Sequence, residues 1–202
     1  MTYLLPFIIG FLSAFIGLLA PSMLNMTAAR TSIEKGRKAG IVFAAGASSV
    51  VFIQGFVALT FAKYFVAHPE IITRLKTAAI FVLSALAIFF FIQARKTFNA
   101  EGKQKKGNNF LTGFGMSSLN MLAIPFYLAM ATLAENKGWM TIEQPFSTIY
   151  VVGAVLGAFS LFTIYASFAD IIAKKAQFIA KNINYILSVL FVVLALLILI
   201  KL

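Results

Sequence analysis

A chain of 202 residues that is 61% hydrophobic and 11% charged, with a mean hydropathy of +0.94, has too little polar surface to cover a water-soluble domain; it is an integral membrane protein. The formal charge of +11 does not point to nucleic acid, because the cations flank apolar runs, as membrane orientation and attraction to anionic lipid require. Absence of cysteine, and a single histidine, His68, beside Pro69, leave no basis for disulfides, thiolate centres or a histidine-rich metal site, and no metal or cofactor is expected.

Six apolar runs follow one another, at 3–24, 39–62, 78–94, 110–134, 148–169 and 183–200. Each is close to the roughly 20 residues that cross the hydrocarbon core as a helix. The first lacks the basic region that opens a secretion signal and exceeds the usual apolar length of one. A membrane barrel would show short alternating segments instead.

The first run breaks at Pro21-Ser22 and carries Asn25 just beyond. Proline has no backbone donor and crowds the turn before it, so carbonyls near Gly17 and Leu18 lose their usual partners. In lipid such groups persist only where protein or a water-filled cavity satisfies them. Either the break lines a substrate path or the proline merely ends a helix. A tight cationic turn (Arg30, Lys35, Arg37, Lys38) leads to the second run, entered through Gly40 and Gly46.

The first, third and fifth loops hold twelve of the 17 lysines and arginines: Arg30, Lys35, Arg37, Lys38, Arg95, Lys96, Lys103, Lys105, Lys106, Lys174, Lys175 and Lys181. Lys63, Arg74, Lys76, Lys137 and Lys201 fall on the other side. The positive-inside rule puts the richer side in the cytoplasm and both termini outside. The polar stretch 99–109 (NAEGKQKKGNN) reads as a basic cytoplasmic linker. It divides one membrane domain into three-helix halves, 1–98 and 110–202. Phe11-Leu12-Ser13-Ala14-Phe15 matches Phe110-Leu111-Thr112-Gly113-Phe114 at an offset of 99, which sets Pro21 opposite Asn120. Three spans per half make the second copy inverted, a plan that recurs in secondary transporters with interrupted helices at a midplane site.

In the fourth run Ser117, Ser118 and Asn120 lie within one turn, ahead of Pro125 and Tyr127. An asparagine at that depth needs a partner helix or a cavity, so these residues either form a second half-site or join helices. Gln54 in the second run needs amide partners in a low dielectric, and binds substrate or bridges two helices. Ser48 and Ser49 are read as packing residues bonded to their own helix. Gly46, and the small-xxx-small pair Gly153 and Gly157, are read as close helix packing. Asp170 is the one acid at the edge of a span and the candidate coupling group, although Lys174 four residues on favours a surface ion pair. Glu34, Glu70, Glu101, Glu135 and Glu143 are assigned to loops. No nucleotide-binding or nucleophilic motif appears, and an enzyme is not expected.

Ala20-Pro21-Ser22, Thr27-Ala28-Ala29-Arg30, Lys35-Gly36-Arg37-Lys38-Ala39-Gly40 and Ala45-Gly46 together resemble the signature of the LysE/RhtB-type amino-acid exporter superfamily. Asn120 matches the asparagine of its second motif and Tyr165-Ala166 a later one. Ser22 replaces a glycine, Met121 a proline, and Gly157-Ala158 stands where many members carry an aspartate. The resemblance implies export of amino acids or related small solutes, driven by an ion gradient; the missing aspartate turns the expectation toward a neutral solute.

The combined expectation is an all-α integral membrane protein of six transmembrane helices, arranged as two inverted three-helix repeats, in a bacterial inner membrane. Its substrate path holds Pro21, Ser22, Asn25, Gln54, Ser117, Ser118, Asn120, Pro125 and Tyr165. Partners are a small solute, membrane lipids and, left open, a second copy of the chain. The alternative is a lipid- or small-molecule-binding membrane protein without solute flux.

Overall fold

A computed structural model describes residues 3–68, 80–81, 84–85, 87–92, 94–95, 107–120 and 122–200. Among them there are helices and no strands: α1 (Leu4–Gly17), α2 (Met23–Lys35), α3 (Arg37–Ala67), α4 (Asn109–Ser118), α5 (Ala123–Asn136), α6 (Phe146–Ser167) and α7 (Ala169–Ile200). Two of these, α3 and α6, are individually long and apolar enough to cross a membrane, and α4 with α5 forms a third such unit bent by 68°. The third apolar run, 78–94, lies partly outside the described residues. Its described residues in 80–95 are helical and pack on α7, with Phe90 stacked on Phe191 at 5.6 Å and the Ser188 hydroxyl donating to the Ala87 carbonyl at 2.9 Å.

The frame is the antiparallel pair α3 and α6. Gly40 lies against Ala166 near one end, and Gly55 against Val151 further along. Helix α1 runs parallel to α6, since Gly10 meets Tyr150 and Ala154, Phe11 meets Gly157, and Leu19 meets Tyr165. Helix α4 runs parallel to α3, since Gly113 meets Phe43 and Ala47 while Ser117 meets Gln54. It follows that α1 and α4 run in opposite directions on either side of the frame.

Both flanking helices are held by reciprocal glycine contacts. A Cβ on Gly10 would collide with the Tyr150 carbonyl, and one on Gly153 with the Phe7 carbonyl. Likewise a Cβ on Gly113 would collide with the Phe43 carbonyl, and one on Gly46 with the Phe110 carbonyl. In lipid, where burying apolar surface gains nothing over the acyl chains, such backbone approach is a main source of helix affinity. Phe7-Ile8-Ile9-Gly10 thus makes the same kind of contact with Tyr150-Val151-Val152-Gly153-Ala154 as Phe110-Leu111-Thr112-Gly113 makes with Phe43-Ala44-Ala45-Gly46-Ala47. Set side by side, these contacts pair residue 7 with residue 110, an offset of 103 where the sequence match has 99. The difference is one helical turn. Phe7, Phe11 and Phe15 stack along α1 at four-residue spacing, so the sequence motif matches equally well one turn out.

Several sequence-based boundaries are corrected. The cationic turn is the end of α2, which carries Arg30, Glu34 and Lys35. Only Gly36, at φ 87, separates it from α3, and glycine adopts that backbone without the clash other residues meet. The basic fifth loop is likewise helical, because α7 starts at Ala169 after the single residue Phe168. Glu135 is in the last turn of α5 rather than a loop, and its Oε1 accepts from the Ile142 backbone at 3.2 Å. The Asp170–Lys174 pair is not formed among the described residues, where Arg30 and Glu34 do pair, at 2.6 Å. Asp170 instead occupies the first turn of α7, where the helix dipole favours a carboxylate. Of the linker 99–109, residues 99–106 lie outside the described residues. Asn108 caps α4 by accepting from the Phe110 and Leu111 amides, and Asn109 already belongs to that helix. Glu70, Glu101, Arg74, Lys76 and Lys201 also lie outside.

Candidate translocation site

The chain leaves the helical path at two places, between α1 and α2 at residues 18–22 and between α4 and α5, the second pair forming one bent unit. The first break follows from Pro21. Helix α1 closes with Leu18 and Leu19 bonding back to the Ala14 and Ile16 carbonyls, the chain turns extended at Ser22 (φ −127, ψ 168), and α2 begins. The Ser22 hydroxyl caps α2 by accepting from the Asn25 backbone at 3.3 Å, which satisfies one of the amides a helix start leaves open. The carbonyls of Leu18, Leu19 and Ala20 lie where the helix cannot use them.

Side chains from two helices close these carbonyls. The Asn25 Nδ2 donates to Leu18 at 2.7 Å and to Ala20 at 2.8 Å. The Tyr165 hydroxyl, on α6, donates to Leu19 at 2.8 Å. Asn25 is fully buried, and its Oδ1 has no hydrogen-bond partner. Tyr165 is also buried, Ser22 is exposed and Pro21 is half-buried.

The second break is closed by the same chemistry from a different place. Gln54, buried on α3, donates its Nε2 to the Ser117 carbonyl at 3.1 Å and the Asn120 carbonyl at 3.3 Å. The Asn120 backbone amide turns back to Ser117 at 3.0 Å. Ser117 is buried and Asn120 half-buried, whereas Ser118 is exposed and bonds its own helix at Phe114, 2.9 Å away. Pro125 is exposed in the first turn of α5, where proline's missing donor costs little. Met121 lies outside the described residues.

The nine path residues thus separate into two groups. Pro21, Ser22, Asn25 and Tyr165 gather at the first break; Gln54, Ser117 and Asn120 gather at the second. Ser118 and Pro125 point away from the contacts that form either group. Between the breaks runs one apolar cluster, in which Leu18 and Leu24 pack with Phe43, Ala123, Phe126 and Tyr127. The Phe126 ring lies directly against Gly17, so α5 reaches from the second break to the end of α1. Sequence reading passed over Phe126. The signal was there in its position next to Pro125-Tyr127, but an aromatic in an apolar run carries no direction by itself.

The three packing glycines lie against backbone: Gly46 on Phe110, Gly153 on Phe7 and Gly157 on Phe11. A cleft of about 140 Å³ lies elsewhere, where the C-terminal part of α3 meets the start of α6. It is lined by Phe56, Lys63, Glu143 and Ser147 among others, and by none of the nine path residues.

No curated protein and no solved structure matches the chain. The family model of the LysE type translocator does match, over residues 15–202, taking in both breaks and every helix from the end of α1 onward. The chain belongs to the LysE type translocator family, and with that family it is an integral membrane protein that exports amino acids or other small solutes.

Proposed function

We propose that this translocator exports neutral amino acids or closely related solutes from the cytoplasm by alternating access, with the solute held by the polar groups of the two helix breaks. The observation that carries the reading is that each break is closed by one side-chain amide, Asn25 at the first and Gln54 at the second. The Leu18 and Ala20 carbonyls have that amide as their donor, while Ser117 and Asn120 also accept from the Asn120 and Ala123 backbone; in both places a rotatable side chain can give way to a solute without unravelling a helix. Interrupted helices whose exposed ends meet the solute are the usual construction of secondary transporters.

The equivalence of the α1–α6 and α3–α4 contacts, with α1 and α4 in opposite directions, supports two inverted three-helix repeats. Rocking of one helix pair against the other would expose the breaks alternately. In the topology proposed here both termini lie outside a bacterial inner membrane, with the cation-rich ends of α2 and α7 in the cytoplasm. The reading of a neutral solute draws on Gly157. This is where the family resemblance leads one to look for an aspartate, and here the position lies against the Phe11 backbone, with no room for a carboxylate.

Cells fed mixed dipeptides accumulate every amino acid inside and supply the test. The intact chain, Pro21→Ala, Asn120→Ala and empty membranes are compared after equal membrane insertion is checked. Selective release of neutral amino acids by the intact chain, lost in both variants, is the expected result. Release that both variants leave unchanged would keep export and remove the breaks from the site; selective release of lysine or arginine would overturn the neutral assignment.

A further inference from the structure

The Asn25 amide occupies a place suited to a ligand nitrogen. The Leu18 and Ala20 carbonyls both point at its Nδ2, at 2.7 and 2.8 Å, so two backbone oxygens converge on one point at N–H···O distance. A third oxygen stands beside that point, because amide geometry holds Oδ1 about 2.2 Å from Nδ2. That oxygen is completely buried and receives no hydrogen bond. Turning the amide over would not help, since it would aim Oδ1 at two carbonyls and leave all three without a donor.

Buried acceptors are nearly always paired, so an orphan beside two others marks a place where a donor belongs. The number and kind of groups select its chemistry. Two carbonyls converge on the point as it stands, and Oδ1 becomes the third acceptor once the amide swings its Nδ2 away; three acceptors match a primary ammonium, which carries three N–H donors and no acceptor. A hydroxyl brings one donor and an acceptor that would face oxygen. The site also lies at the C-terminal end of α1, where the helix dipole favours a cation, while α2 starts at Met23 and sets its positive end beside the same break.

We infer that the first break is an ammonium-binding subsite. The solute's primary ammonium displaces Asn25 Nδ2 from the Leu18 and Ala20 carbonyls, and Asn25 rotates to accept a hydrogen bond from it at Oδ1. A carboxylate on the adjacent carbon then lies toward the start of α2. Tyr165, donating to Leu19, is a positioning residue that fixes the backbone between the two ammonium acceptors. This inference rests on the reading that the breaks hold the solute, and it narrows that solute to a primary amine.

Purified protein in proteoliposomes provides the test, by counterflow of radiolabelled alanine and leucine against unlabelled probes. The probes are the same amino acids, their N-acetyl derivatives and the α-hydroxy acids in which the ammonium is replaced by hydroxyl. The free amino acids are expected to exchange, and both modified series to do so at least about tenfold less well, the worth of one hydrogen bond to a charged group. Asn25→Ala is expected to raise KM for the amino acids about tenfold more than for the hydroxy acids. Hydroxy acids exchanging as well as amino acids would overturn the subsite while leaving export by the breaks intact. So would an equal KM change for both series in Asn25→Ala, or exchange that requires sodium and ignores the ammonium. No exchange of any neutral amino acid would remove the functional reading beneath it. The comparison of probes on the unaltered chain needs no variant to fold.

Discussion

Replacing Gly153 by alanine tests whether helix approach through glycine sets the architecture. The added Cβ would lie on the Phe7 carbonyl oxygen, 3.0 Å from the Phe7 carbonyl carbon and 3.1 Å from the Phe11 nitrogen. These are helix backbone atoms, which cannot swing aside as a side chain would, so α1 must move as a body away from α6. Gly10 and Gly157 lie on the same interface, and the shift loosens their contacts as well. Overpacking of this kind costs about 1–3 kcal/mol, and the upper part of the range applies when backbone meets backbone. Alanine returns about 1 kcal/mol through its higher helix propensity. The net loss is about 2 kcal/mol, which lowers Tm by roughly 4–8 °C for a chain of this size. The assay is thermal unfolding of the detergent-purified protein at one scan rate, with Gly115→Ala as control. Gly115 lies within α4 and has open space where its Cβ would go, so it gains propensity without a collision, and its Tm holds or rises by a few degrees. A Gly153→Ala protein as stable as Gly115→Ala would refute the argument, and with it the reading of Gly46 on the opposite side.

Gln54→Leu removes the side-chain donor to the Ser117 and Asn120 carbonyls, which keep backbone donors in Asn120 and Ala123, so the loss is that of two hydrogen bonds at about 0.5–1.5 kcal/mol each; we expect a Tm drop larger than that of Ser118→Ala, whose hydroxyl bonds only its own helix. Tyr165→Phe removes one hydrogen bond, to Leu19, and should cost about 1 kcal/mol in the same unfolding assay, with protein yield preserved because the ring still fills its place beside Met26 and Leu161. Asn108→Ala removes the cap of α4 and should cost about 1 kcal/mol; faster amide exchange confined to the first turn of α4 is the signature that separates it from a global effect.

How far the site could be read in advance differs between its two halves. The first break was legible because proline acts on its own neighbours: it withholds a donor and obstructs the turn before it, whatever the rest of the chain does. Asn25 was legible as a polar residue in the wrong solvent, but not as the group that closes the Leu18 and Ala20 carbonyls. The second break has no proline at its start, and Asn120 marked it only as a polar residue at depth. Pro125, which drew attention there, lies in the first turn of α5 instead. The helical content of 169–182 went unread because cations were taken as loop markers, whereas lysine is a good helix former and α7 simply continues through them.

Local chemistry, then, was enough for the membrane class, the all-helical fold class, the break at Pro21 and the family signature, since hydrophobicity, proline and glycine act through solvent and near neighbours. Tertiary structure alone decided which groups answer the broken backbone. Gln54 reaches Ser117 across 63 residues, and Tyr165 reaches Leu19 across 146. It also chose between registers one helical turn apart. A phenylalanine every four residues presents the same face to a partner at each turn, and only the seats of Gly10, Gly46, Gly113 and Gly153 on opposing carbonyls make one of those turns fit.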